Sequence, residues 1–113
     1  MKSVILVSFF LFIVSCFLTN AQNKIEEDIE ISYQNAKKGI YWALDNIPEK
    51  KGKTENDLIA NDKLYARVKL EKEIFGIKIE STGYYNTNSI SILIYKSYDN
   101  LVKEGYLKKI PSE

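Results

Sequence analysis

Histidine is absent from the 113 residues, and cysteine occurs once, at Cys16. Without them the usual zinc, haem and iron–sulfur sites lack ligands, and Ser-His-Asp and Cys-His systems lack their base or nucleophile. There are two prolines, five glycines and no internal repeat, so the chain is neither collagenous nor of low complexity. No charge sign dominates: 16 basic side chains stand against 15 acidic, and the basic ones form no long run. Phosphate binding depends on clustered Lys and Arg that release counterions, so this balance argues against a nucleic-acid partner. The surroundings of Gly83 and Gly105 contain no phosphate-binding glycine pattern.

The one long hydrophobic run lies at the start. Met1-Lys2-Ser3 is followed by apolar residues from Val4 to Leu18, broken only by Ser8, Ser15 and Cys16; Thr19-Asn20-Ala21 then precede a switch to polar sequence at Gln22. A positive start, an apolar stretch and a small residue before the switch is the pattern of a secretory signal peptide. A permanent span needs about 20 apolar residues, more than this run provides. Residues 1–21 are therefore read as a signal cleaved between Ala21 and Gln22, and residues 22–113 as a single small domain. A competing processing site lies upstream. Ile13-Val14-Ser15-Cys16 resembles the lipobox of bacterial lipoproteins, which implies lipidation of Cys16 and attachment to a membrane. Soluble export is preferred because Phe17-Leu18 continue the apolar run. Loss of residues 1–21 removes Lys2 and Cys16, leaving balanced charge and no cysteine. Small secreted animal and plant domains are usually stapled by disulfides. A domain without them, and without an Asn-x-Ser/Thr acceptor, fits a bacterial periplasmic or surface protein better.

Beyond the switch, Ile25, Ile29, Tyr33, Ala36, Ile40, Ala43, Leu44 and Ile47 recur at helical spacing, predicting a long amphipathic helix that ends at Pro48. Glu26, Glu27, Asp28 and Glu30 suit the N-terminal end of its dipole. These carboxylates lack the loop and glycine of a calcium hand, so they are read as a solvated helix start. Thr54 to Ala60 is read either as one or two helical turns capped by Thr54-Glu55-Asn56-Asp57 or as a loop. Leu64, Ala66, Val68 and Leu70 alternate with polar residues as in a half-buried strand. The parity then switches to Ile77 and Ile79. A two-residue turn at Phe75-Gly76 accounts for it, placing Ile74 opposite Ile77 and Leu70 opposite Ser81; because Phe75 suits such a turn poorly, a longer loop or a bulge is the alternative. A second turn at Asn86-Thr87 leads to a third strand carrying Ile90, Ile92 and Ile94, with Gly83 opposite Ile90 and Ile79 opposite Ile94. Ser97 caps a closing helix of about Tyr98 to Glu104, with Gly105 as its stop. The expected fold is α+β: a long helix on a three-stranded antiparallel meander, followed by a short helix.

The outward positions of that sheet include Tyr65, Arg67, Lys78, Tyr84, Leu93 and Tyr95. Tyr and Arg offer large, fairly rigid contact area and are enriched among binding hot spots. These six residues form the candidate partner-binding face, with Arg67 expected beside Tyr84 and Lys78 beside Tyr95. Tyrosine is also a good strand former, which explains its presence without any ligand. The candidate catalytic pairs are Glu71 with Glu80 and Ser81 with Lys78, but an exposed sheet surface offers nothing to exclude water or tune acidity. The sequence thus points to an exported, non-catalytic binding or inhibitor-type module of a bacterial envelope, with a protein or envelope ligand and no cofactor or metal. The alternative is a structural or assembly component of the envelope, lipid-anchored through Cys16.

Overall fold

The computed structural model describes the backbone of residues 2–111 and the side chains of residues 23–111. Helix α1 runs from Lys2 to Asp45. Four strands follow, β1 (Lys53–Ala60), β2 (Lys63–Lys72), β3 (Gly76–Tyr85) and β4 (Asn88–Ser97), and helix α2 (Tyr98–Lys103) closes the order. The sheet is an antiparallel meander in the order β1-β2-β3-β4. The processing positions Cys16, Ala21 and Gln22 lie outside the residues with described side chains. Among the described residues no helix is long and apolar enough to cross a membrane.

α1 lies across the inner face, chiefly over β3, with β2 and β4 on either side. Ile40, Ala43 and Leu44 of α1 meet Leu58, Ala66, Val68, Leu70, Ile77 and Ile79 of the sheet and Tyr98 and Leu101 of α2 in one core. Two glycines let helix and sheet approach closely. A Cβ on Gly83 would strike the Ser32 carbonyl and the Ala36 backbone, and one on Gly39 would strike Ser81 Oγ and Val68. Ser81 is completely buried beneath this seam, and its hydroxyl has no hydrogen-bond partner among the described residues.

The apolar stripe of α1 is buried only from Ala36 onward, contrary to the sequence expectation. Ile25, Ile29 and Tyr33 are exposed, and this part of the helix turns Asp28, Ser32 and Asn35 toward the sheet. Polar clamps fasten this end instead. Asn35 Nδ2 donates to the Tyr84 carbonyl at 2.8 Å and Asn86 Nδ2 to Asp28 at 3.2 Å. Ser32 Oγ lies 3.0 Å from the Asp28 carbonyl and 3.3 Å from that of Asn88. At the other end, Asn46 Nδ2 takes up the free carbonyl of Trp42 at 2.8 Å.

The sheet has four strands, not three, since residues 53–60 form β1 rather than a helical turn or loop. Its Lys, Glu, Asn and Asp residues are poor strand formers by themselves. Pairing decides the conformation: Asp57 faces Arg67, Glu55 faces Lys69 and Lys53 faces Glu71, while Leu58 faces Ala66 on the buried side. A two-residue turn at Asn61 (φ 53°) and Asp62 (φ 62°) joins β1 to β2, with the left-handed residues such hairpins prefer.

The β2–β3 register also differs from expectation. Leu70 pairs with Ile79, Glu71 with Lys78 and Lys72 with Ile77. The shift of two residues preserves every facing but replaces the tight turn with the loop Glu73-Ile74-Phe75-Gly76, in which Glu73 N donates to the Gly76 carbonyl at 2.7 Å. The expected register would have set Glu71 against Glu80; the observed one sets each against a lysine. Ile74 accordingly moves out of the core to the loop tip. The β3–β4 register is as expected, with Gly83 opposite Ile90, Ser81 opposite Ile92 and Ile79 opposite Ile94, around a left-handed Asn86. α2 is capped by Ser97, whose Oγ accepts from Asn100 N at 3.2 Å, and Gly105 follows it at φ +88°.

Candidate functional site

Because side chains alternate along each strand, the outer face carries Lys53, Glu55 and Asp57 of β1, Tyr65 to Glu71 of β2 at odd numbers, Lys78 to Tyr84 of β3 at even numbers, and Ser91, Leu93 and Tyr95 of β4. It carries a ladder of opposite charges. Arg67 Nε lies 2.8 Å from Asp57 Oδ1. Lys53 and Lys78 each approach Glu71 at 3.7 Å, and Lys78 also reaches Glu73 at 3.8 Å. The hydrogen bond and charge of Asp57, with smaller effects from Tyr84 and Glu55, hold the Arg67 guanidinium even more firmly protonated than usual. These are solvent-exposed pairs, and water and salt screen them so that each adds little to stability.

The six residues singled out from the sequence all belong to this face but fall into two groups. Tyr65, Arg67 and Tyr84 lie toward one end, where Arg67 faces Thr82 directly and Tyr84 diagonally rather than side by side as expected. Tyr65 and Tyr84 are half-buried, and Tyr65 packs against the edge of the core. With Tyr85, Asn35, Asn61, Lys63 and Asn86 they border an open cleft of about 570 Å³ between α1 and the strand ends. Lys78 and Tyr95 face each other at the opposite end, as expected, and Leu93 stands two residues from Tyr95 on the same side.

That second end is the apolar one. Leu93 is 61% exposed and Tyr95 51%, and the β2–β3 loop beside them presents Ile74 at 79% and Phe75 at 77%. Tyr95 Cζ lies within contact distance of the Cβ position of Gly76, the residue following Phe75, so strand and loop tip share one corner. Tyr98 ties this corner down: its hydroxyl donates to the Glu73 carbonyl at 2.8 Å, and its backbone N–H donates to the Phe75 carbonyl at 2.9 Å. Sequence reasoning missed Ile74 and Phe75, having placed Ile74 in the core and Phe75 in a tight turn. Phenylalanine fits such turns poorly, and that was the available signal.

Glu71 and Glu80 do border an open depression of about 470 Å³, together with Lys53, Glu55, Lys69 and Lys78. Each carboxylate stands across from a lysine rather than across from the other. No group of three or more His, Cys, Asp or Glu placed to hold a metal occurs among the described residues. Comparison with protein-family models, curated proteins and solved structures finds no match to this chain.

Proposed function

We propose that this protein is an exported, non-catalytic binding or inhibitor-type module of a bacterial envelope, recognising a protein or envelope ligand. The reading is carried by the corner where Leu93, Tyr95, Ile74 and Phe75 are exposed together. Adjacent large apolar groups left to water on a small domain mark an interaction surface more than scattered single ones do. The neighbouring charges are engaged with one another, which leaves the corner as the place where burial by a partner gains most. Tyr84 and Arg67 extend the face toward its other end.

The test is capture from an envelope extract by the tagged protein. Tyr84→Ala combined with Tyr95→Ala is expected to abolish capture while the circular dichroism spectrum stays native; undiminished capture would overturn the reading. A second reading, a lipid-anchored structural component, is favoured by the Ile13-Val14-Ser15-Cys16 stretch and by the exposed helical segment from Asn23 to Glu27 that would serve as its tether. Its mark would be a lipidated Cys16 in the mass of the processed protein.

A further inference from the structure

The two edges of the sheet are built differently. β1 carries Lys53, Glu55 and Asp57 outward and has an irregular register between Leu58 and Ile59. Charges and bulges of this kind keep an edge from recruiting another strand. β4 has neither protection. From Asn88 to Tyr95 it reads Asn-Ser-Ile-Ser-Ile-Leu-Ile-Tyr, without charge, proline or glycine, and its register with β3 is unbroken. Its inward residues Ile90, Ile92 and Ile94 are only half-buried, whereas Ile77 and Ile79 of the adjoining strand are fully buried. Lys96, the one cation of the strand, has its Nζ 2.6 Å from Glu104 Oε2 and is neutralised within the chain.

The strand is also its own complement. Antiparallel pairing about a two-fold axis through Ile92 sets Ile92 against Ile92, Ile90 against Ile94, Ser91 against Leu93, Ser89 against Tyr95 and Asn88 against Lys96 of a second copy. β-Branched residues meet β-branched residues on the inner side, and no like charges meet on either. A two-fold through Leu93 would instead oppose Ile90 with Lys96. We infer that β4 is the seam of a homodimer in which two four-stranded sheets join into one of eight strands, with both α1 helices on the same side. The main chain of each β4 supplies the hydrogen bonds, and the isoleucine row completes the burial that the single chain leaves unfinished.

Sedimentation equilibrium of the purified protein, as recovered from expressing cells, tests this without any other partner present, so its outcome is independent of the capture experiment. The wild type is expected to show a concentration-dependent monomer–dimer equilibrium. Ser91→Lys and Leu93→Glu both alter outward, exposed positions and should keep the native circular dichroism spectrum. Each places like charges diagonally across the two-fold and should weaken association on the order of tenfold. The combined variant sets each new lysine directly opposite a new glutamate and should restore dimerisation. A wild type that is monomeric at every concentration, a dimer indifferent to both single variants, or a combined variant that fails to recover would each overturn the assignment.

Discussion

At the scale of single residues, the seam between α1 and the sheet is set by what is missing from side chains. Gly83 lies under the α1 backbone at Ser32 and Ala36, with no room for a methyl group. Gly83→Ala should therefore force helix and sheet apart and cost about 1–3 kcal/mol, the range for overpacking a close contact. Ser81, also in the seam, has a buried hydroxyl without a partner among the described residues. Removing an unsatisfied polar group costs little and can stabilise, so Ser81→Ala should leave stability unchanged or slightly raised. Urea denaturation of the two variants checks the contrast. Equal losses in both would mean that Ser81 contributes a bond the geometry does not account for.

At the scale of elements, α2 holds the β2–β3 loop in place through Tyr98, which bonds the Glu73 carbonyl with its hydroxyl and the Phe75 carbonyl with its backbone. Burial first, and then the neighbouring Tyr95 and Glu73, push the Tyr98 phenol above its ordinary value. The folded protein thus keeps that proton at pH values where the unfolded chain has released it. The resulting stability is fully present below about pH 10 and is lost as pH rises beyond it. Tyr98→Phe should lose about 1 kcal/mol near neutrality with its hydrogen bond. It should also show a shallower alkaline decline in denaturation midpoint than the wild type. An equally steep decline would assign the alkaline sensitivity to other groups. The same substitution should loosen the Ile74–Phe75 tip, linking this small helix to the apolar corner.

For the whole molecule, the relevant fact is where α1 first touches the sheet. Among the residues with described side chains, its earliest side-chain bond to the sheet domain is Asp28 with Asn86, followed by Ser32 and Asn35. The processed protein is expected to begin at Gln22, read from its intact mass, and to melt at the same temperature as the full-length chain. A lower melting temperature after processing would show that the upstream segment helps hold the domain. An intact mass that includes lipid on Cys16 would replace soluble export with the anchored reading.

Hydrophobic alternation placed β2, β3 and β4 and the inner side of each, while turn and cap residues placed the turn at Asn86-Thr87 and α2 between Ser97 and Gly105. Val68, Ile79 and Ile92 face α1 because period-two burial leaves only one consistent facing. The outward set of Tyr65, Arg67, Lys78, Tyr84, Leu93 and Tyr95 follows from the same parity. What a linear pattern does not carry is which strand a polar segment will pair with. β1 became a strand through charges on β2, and the β2–β3 register slid by two residues, invisible to parity, to put Glu71 and Glu80 opposite lysines. That slide freed Ile74 and Phe75 to form the apolar corner. Local spacing fixes facing through backbone geometry, while register and edge pairing depend on contacts between distant residues, and those only the folded sheet decided.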